Sequence, residues 1–102
     1  MRHYLITVIV PLIMVALSIP MIAGWIGRNY FYGFRTPRTL SSDTVWYPAN
    51  RVAGLLMLCA GLVWLAAGVA AGPMAGLGTG LVALTLAFAG SFIYLSRRPK
   101  TD

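Results

Sequence analysis

Three long apolar runs constrain the fold of this chain more than any other feature of its sequence. The first extends from Tyr4 to Ile26 without a charged side chain, the second covers residues 52–71, and the third covers residues 75–95. About 20 apolar residues in a helix are needed to cross roughly 30 Å of hydrocarbon, and each run meets that length. The sequence therefore predicts an all-α integral membrane protein with three transmembrane helices.

The composition supports lipid as the solvent for most of the chain. Charged residues make up 10% of the sequence, whereas a soluble domain carries about 25%. A chain of 102 residues is long enough for one domain, which we predict to cover the whole sequence. The net charge of +6 would suit a nucleic-acid-binding protein, but the basic residues lie at the ends of apolar runs and not on one soluble face. We therefore expect no direct contact with nucleic acid.

The first run shares one feature with a signal peptide, since Arg2 precedes it. The apolar core of a signal peptide is only about 7–15 residues long and ends at a cleavage site of small residues. The first run is longer, and no clean cleavage site follows it, so we expect a retained helix. Pro11 and Pro20 each remove a backbone donor and are expected to bend that helix.

The second and third runs are separated by Gly72 and Pro73, which predict a turn and hence a tight antiparallel hairpin. Glycines spaced by seven residues fall on one side of the second helix: Gly54, Gly61 and Gly68. In lipid, such small residues let helices approach closely. We predict that these glycines pack the three helices of one chain together. Self-association into a homo-oligomer through the same face is the alternative.

The basic residues predict the orientation in the membrane. Three spans place the polar segment after the first run on the same side as the C-terminus. That side carries Arg28, Arg35, Arg38, Arg51, Arg97, Arg98 and Lys100, whereas the other side carries Arg2. Lys and Arg are enriched in cytoplasmic loops, so we expect an outer N-terminus and a cytoplasmic C-terminus. Aromatic residues stand where an interfacial belt is expected: Tyr4, Trp25, Tyr30, Tyr47 and Tyr94.

The polar segment of residues 28–50, which we call the motif loop, separates the first two runs. Asn29 and Gly33 suit turns, Gly33 because glycine adopts a positive φ without a steric penalty. Thr36 is expected to be extended, since it precedes a proline. Candidate N-caps of the next helix follow at Thr39, Ser41 and Ser42.

Two versions of that next helix remain open. Either it begins near Ser42 and kinks at Pro48, or it begins with Pro48 at its first position. Asp43 would lie in a first turn, where the helix dipole favours a negative charge. We expect Asp43 to pair with one of three arginines: Arg35, Arg38 or Arg51. Residues spaced by four share one face, namely Trp46, Asn50 and Gly54.

The pattern N-x-x-x-G-x-R-T-x-x-T-L-S-x-x-x-x-W, followed closely by N-R-x-x-G, resembles the signature of the SdpI family of small bacterial membrane proteins. Its residues in this sequence are Asn29, Gly33, Arg35, Thr36, Thr39, Leu40, Ser41, Trp46, Asn50, Arg51 and Gly54. The family is named for a protein that protects its producer from a secreted peptide toxin and relays a signal to a cytoplasmic repressor. The resemblance therefore implies a place in the bacterial inner membrane and a role in immunity or signalling.

Two features depart from the family pattern. A proline usually precedes the asparagine of the motif, and Arg28 stands at that position here. The founding type of protein also carries further transmembrane helices, beyond the motif-bearing unit that this sequence contains.

Residues suited to catalysis or metal binding are scarce. His3 is the single histidine, no glutamate occurs, and Asp43 and Asp102 do not show the spacing of a catalytic carboxylate pair. The hydroxyl residues of the motif loop have no evident base. Cys59, the single cysteine, is expected to be a small buried side chain. We predict that the protein is not an enzyme and uses no cofactor or metal.

Two interpretations of the motif loop have equal weight. In the first, Arg35 and Arg51 point inward with Asn50, and Trp46 screens a polar pocket that holds an anion or a carboxylate. In the second, Asp43 and loop carbonyls hold the same arginines, and the motif is a structural clasp. Trp46 by itself is more often an interfacial anchor than a platform for a ligand. The candidate ligand- or partner-binding residues are Asn29, Gly33, Arg35, Thr36, Thr39, Trp46, Asn50 and Arg51.

The predicted function is that of an SdpI-like membrane protein, which serves toxin immunity or signalling through its motif loop. The expected partners are membrane lipids and either a peptide toxin or a cytoplasmic regulator protein. The alternative is an accessory or oligomerising membrane subunit, or a module that binds anionic lipid. Each basic residue near an anionic leaflet contributes about 1 kcal/mol of attraction.

Overall fold

The computed structural model of the chain describes residues 5–29 and 32–97, which form three long helices in succession. A π-helical turn, Leu5–Ile9, leads into α1 (Val10–Ala23), and a short 3-10 helix, Thr39–Ser41, precedes α2 (Asp43–Ala71). The last helix, α3, extends over Pro73–Arg97. With Leu5–Ile9 included in the first, each long helix is sufficiently long and apolar to cross a membrane, which confirms the predicted helical spans.

Several residues used in the sequence predictions lie outside the described part of the chain: Arg2, His3, Tyr4, Tyr30, Arg98, Lys100 and Asp102.

A proline and a glycine mark the two ends of α1. Pro11 lies in the first turn of α1, directly after the π-helical turn, and its ring is buried. At the other end Gly24 adopts a left-handed conformation with a φ of 74°, and its N–H donates to the carbonyl of Pro20. The helix therefore ends at Ala23, before the predicted boundary at Ile26.

The second helix begins well before the second apolar run. Its first residue is Asp43 and Pro48 lies inside it, so the version with the earlier start is the one observed. A boundary near Val52, which followed the change in hydropathy, is therefore wrong. Ser42 stands at the N-cap with an extended backbone, and its carbonyl accepts a hydrogen bond from the N–H of Trp46 at 2.9 Å. The Ser42 hydroxyl makes no capping bond.

The glycines spaced by seven on α2 face α1. A Cβ at Gly54 would lie 3.0 Å from the carbonyl oxygen of Ser18, and a Cβ at Gly61 would lie 3.1 Å from that of Pro11. The third glycine, Gly68, faces the π-helical turn. Contacts this close to a neighbouring backbone leave no room for a side chain. The glycines therefore pack α1 onto α2 within one chain. Because α1 covers this glycine face of α2, the same face is not open to a second copy of the chain.

Glycines also bring α3 close to α2. The chain reverses direction at Gly72, which has a φ of 101°. This position confirms the predicted turn between the second and third helices. Further along α3, Gly80 lies against the indole ring of Trp64. The Nε1–H of that indole donates to the carbonyl of Ile6 at 2.9 Å. Trp64 therefore contacts the start of the first helix as well as α3, and so joins all three helices.

Large apolar side chains are exposed on every long helix that the structure describes, among them Ile13, Val69 and Leu86. An exterior of this kind is typical of a protein surrounded by lipid. Cys59 lies on the same exterior, so the prediction of a buried cysteine is wrong. The faces of α2 that pack inward carry its glycines and tryptophans, which leaves Cys59 on the outer side.

Candidate functional site

The residues between α1 and α2, 24–42, and the first turns of α2 form a polar structure at one end of the helical bundle. The guanidinium of Arg38 donates to the carbonyl of Leu95, near the end of α3. The rings of Phe34 and Phe92 meet edge to face, with centroids 5.2 Å apart. The motif loop and the C-terminal end of α3 therefore lie on the same side of the bundle, as three successive spans require.

Asn50 fastens the loop to α2. Only 3% of its surface is exposed. Its amide oxygen accepts a hydrogen bond from the N–H of Phe34 at 2.7 Å, and its amide nitrogen donates to the carbonyl of the same residue at 3.3 Å. The nitrogen also donates to the carbonyl of Trp46 at 3.0 Å. One carboxamide thus satisfies both backbone groups of a buried loop residue, as a neighbouring strand does in a sheet.

A glycine is required at position 33, beside the hydrogen bonds between Asn50 and Phe34, for two reasons. Its φ of 100° is unfavourable for a residue with a side chain, and this confirms the predicted positive φ. A Cβ at this position would also lie 2.5 Å from Oδ1 of Asn50. Glycine therefore lets the loop backbone pass directly over the Asn50 carboxamide.

Trp46 is fully buried, with 0% of its surface exposed, so the prediction of an interfacial anchor is wrong. Its Nε1–H donates to the carbonyl of Ile26 at 2.8 Å, just beyond the end of α1. A buried indole needs such a partner, because an unpaired N–H inside the protein is costly. Trp46 therefore belongs to the core of the loop and does not form the wall of an open polar pocket.

The shorter polar residues of the motif stabilise turns within the loop. Oγ1 of Thr39 accepts from the N–H of Thr36 at 2.7 Å, and Oγ1 of Thr36 accepts from the N–H of Thr39 at 3.1 Å. The side chain of Asn29 accepts from the N–H of Tyr32 at 2.7 Å and donates to the carbonyl of Gly27 at 2.9 Å. Side chains that bond to nearby backbone in this way are typical of turns. These contacts and those of Trp46 and Asn50 form what we call the clasp of this structure. It is built from threonine, asparagine and tryptophan side chains, whereas the predicted clasp held two arginines with an acid and loop carbonyls.

Asp43 pairs with Arg28, whose Nε lies 2.9 Å from a carboxylate oxygen. The predicted partner of Asp43 was Arg35, Arg38 or Arg51, so that prediction is wrong. The loop folds back so that its first basic residue reaches the start of α2, and Arg28 also donates to the carbonyl of Leu40 at 3.2 Å. Both partners of the salt bridge are substantially exposed, so it contributes about 0–1 kcal/mol to stability.

Arg38 and Arg51 bond to carbonyls in the last turns of helices. The Nε of Arg51 lies 3.3 Å from the carbonyl oxygen of Ile22 in α1, and Arg38 reaches Leu95 in α3. Carbonyls in a last turn lack helical partners, and the helix dipole favours cations there. Arg35 and Arg51 are both exposed, so the first of the two interpretations, in which both point inward beside Asn50, is wrong.

Arg35 lines a cleft of about 390 Å³, which we call the Arg35 cleft. Its other walls are largely apolar and come from all three helices; they include Leu17, Met21, Met57, Leu84 and Phe88. The cleft exists because α1 and α3 both pack on α2, while α3 approaches the first span mainly at the π-helical turn. The two helices therefore leave a gap toward the end of the bundle where the loop lies.

Tyr32 lies at the same cleft and was not among the candidate residues. Its hydroxyl donates to the carbonyl of Leu17. Burial raises the pKa of the Tyr32 phenol by desolvation, which moves it further from neutral pH, where the hydroxyl is protonated in any case. An aromatic residue beside the turn glycine Gly33 was the available signal in the sequence.

The sequence model of the SdpI/YfhL protein family matches residues 26–96, which is more than half of the chain. The chain belongs to the SdpI/YfhL protein family. The match extends from two residues before the motif loop to the last turn of α3 and confirms the resemblance drawn from the motif. Comparison with curated proteins and with solved structures gave no match.

The SdpI/YfhL motif residues occupy two kinds of position in this structure. Thr39, Trp46 and Asn50 are buried within the clasp, whereas Arg35 is exposed and lines the cleft together with Gly33. Ligand or partner binding by these residues remains a prediction. In the described ranges, 5–29 and 32–97, no three His, Cys, Asp or Glu side chains are grouped so that they could hold a metal ion.

Arg28 stands at the position where the resemblance to the family pattern led us to expect a proline. A proline restricts the chain by fixing φ. Here the side chain of Arg28 instead ties the start of the loop to Asp43 and to the carbonyl of Leu40. In this member, polar contacts of the arginine therefore hold the region that a proline would stiffen.

Proposed function

We propose that this protein is an immunity or signalling protein of the SdpI type in the bacterial inner membrane. It acts by contact with a peptide toxin or a cytoplasmic regulator, and it catalyses no reaction. The observation that carries the proposal is the family match over residues 26–96, which includes the whole motif loop. The protein for which the family is named protects its producer from a secreted peptide toxin.

The geometry of the clasp supports a role in recognition. Ordering a flexible loop when a partner binds costs free energy, so a loop that is already held binds more tightly. The buried bonds of Trp46 and Asn50 hold this loop against α1 and α2. Exposed residues that it presents include Arg35, Pro37 and Ser41. A guanidinium on a held loop suits a carboxylate of a peptide or a regulator.

Protection can be tested in a toxin-sensitive bacterial strain that produces the chain. The challenge is the secreted peptide toxin against which the founding member of the family protects. We expect survival well above that of an empty-vector strain, and we expect Arg35→Gln to lose most of it while still accumulating in the membrane. Arg97→Gln is the matched control, because it removes the same charge from the same end of the bundle. Normal accumulation of the wild-type chain without any gain in survival would contradict the proposed immunity.

The orientation is part of the same proposal: the motif loop and the C-terminus face the cytoplasm, and the N-terminus lies outside. The loop end of the bundle carries Arg28, Arg35, Arg38, Arg51 and Arg97, and clusters of arginine are typical of cytoplasmic loops.

A cysteine at the exposed position Ser41 can report this orientation, in a chain whose native cysteine is removed by Cys59→Ala. We expect a membrane-impermeant maleimide to label Ser41→Cys only after the inner membrane has been permeabilised. Labelling at full extent in intact spheroplasts would place the loop outside and overturn the orientation.

A further inference from the structure

The Arg35 cleft combines apolar walls with a guanidinium at one end. We infer that it is a binding site for an anionic phospholipid, with one acyl chain in the cleft and the phosphate against Arg35. The inference requires neither a toxin nor a regulator, so its test can fail while the test of immunity succeeds, although both proposals use Arg35.

The walls of the cleft are suited to an acyl chain. Leu17 of α1 and Phe88 of α3 line it and are exposed, so a chain reaches it from the surrounding lipid without crossing water. The volume of about 390 Å³ lies within the range of ligand pockets, roughly 300–1,000 Å³. A gap of this size in lipid is expected to be filled, since empty space deprives its lining of dispersion contacts. The Ser91 hydroxyl in the lining already donates to the carbonyl of Ala87 at 2.8 Å, so it has no proton left to donate to a water in the cleft.

The charge at the mouth of the cleft selects the headgroup. Arg35 belongs to the loop end of the bundle, where arginines outnumber the described acid, Asp43. A guanidinium binds a phosphate through two parallel hydrogen bonds, and its five donors allow this beside other contacts. A phospholipid presents a phosphate at the water boundary and its chains in the hydrocarbon. The cleft has the same arrangement, with Arg35 on the side of the loop and the apolar walls on the side of the helices.

A peptide fits the same cleft less well. An apolar peptide with an acidic side chain would also place a carboxylate at Arg35. An extended peptide would, however, bring backbone N–H and C=O groups that apolar walls cannot satisfy, and each unsatisfied group is costly in lipid. A helical peptide satisfies its own backbone, but a helix about 10–12 Å across is too wide for a cleft of about 390 Å³. An acyl chain carries no such groups, so the chemistry of the lining favours lipid.

The test uses the purified full chain, reconstituted into vesicles of equal parts phosphatidylglycerol and phosphatidylcholine. The protein is then extracted in mild detergent and its bound lipid is measured by native mass spectrometry. We expect the wild-type chain to retain one phosphatidylglycerol with a preference of about tenfold over phosphatidylcholine. Arg35→Gln is expected to lose this preference. Leu17→Trp is expected to lose both lipids, because the indole fills the cleft.

Matched controls separate the cleft from general attraction to the membrane. Arg97→Gln removes a charge from the same end of the bundle, and Ile13→Trp adds an indole at an exposed position of α1 outside the cleft. Both are expected to retain lipid as the wild type does. Equal retention of the two lipids by the wild type overturns the inference, whether or not the variants fold. So does an equal loss in Arg35→Gln and Arg97→Gln, or a bound peptide in place of phospholipid.

Discussion

Replacing Asn50 with leucine is expected to lower the free energy of unfolding by about 2–4 kcal/mol and to release the motif loop from α2. Leucine preserves the size of the side chain but leaves both backbone groups of Phe34 without their partner. Each buried polar group that loses its partner costs about 1–3 kcal/mol. The stability is measured by thermal unfolding in detergent, followed by circular dichroism. Release of the loop is measured as faster cleavage by trypsin after Arg35.

Arg51→Leu is the matched control for this substitution. Arg51 is the next residue of α2, is exposed, and makes a longer hydrogen bond of 3.3 Å to Ile22. We expect a loss below about 1 kcal/mol, since exposed contacts of this kind contribute little. If Asn50→Leu unfolds no more easily than Arg51→Leu, Asn50 does not fasten the loop. The motif would then have to act through binding and not as a clasp.

Gly80→Ala is expected to destabilise the packing of α3 against α2 by about 1–3 kcal/mol, the usual cost of overpacking. The added Cβ would lie 2.3 Å from Cδ2 of Trp64, far inside ordinary contact. The indole cannot move away freely, because its N–H is bonded to the carbonyl of Ile6. Movement would therefore also weaken the contact between the first helix and α2. Thermal unfolding in detergent, followed by tryptophan fluorescence, measures the effect.

Gly78→Ala provides a control of opposite sign on the same helix. A Cβ at Gly78 would meet no atom within 4 Å. Alanine stabilises a helix relative to glycine by about 0.5–1 kcal/mol, so this variant is expected to be slightly more stable than the wild type. Equal gains in stability from Gly80→Ala and Gly78→Ala would show that Trp64 does not pack on Gly80 as described.

The helical spans and the positions of the motif could be predicted because they depend on features that are close together in the sequence. Apolar length predicts a span, and Gly72 with Pro73 predicts a turn. The spacing of Gly54, Gly61 and Gly68 predicts one packed face. The signature around Gly33, Trp46 and Asn50 indicates the family. None of these inferences needs the distance between residues that are far apart in the chain.

The sequence left two starts of α2 open, near Ser42 and at Pro48, and could not choose between them. Hydropathy places the boundary near Val52, but the helix begins at Asp43. The residues in between are helical and partly buried because Trp46 bonds to Ile26 and Asn50 bonds to Phe34. Those partners belong to the loop, and only the folded arrangement brings them to the first turns of α2.

By itself, the sequence determined that the chain spans a membrane with three helices, that glycines pack them, and that one polar segment carries a family signature. Only the tertiary structure decided which polar and aromatic residues are buried, which are paired and which are exposed. It buries Trp46 and Asn50, pairs Asp43 with Arg28, exposes Cys59 and leaves Arg35 at a cleft. The physical reason is that span length and helical spacing are local properties. Burial and the choice of a polar partner depend instead on which residues, distant in the sequence, the fold brings into contact.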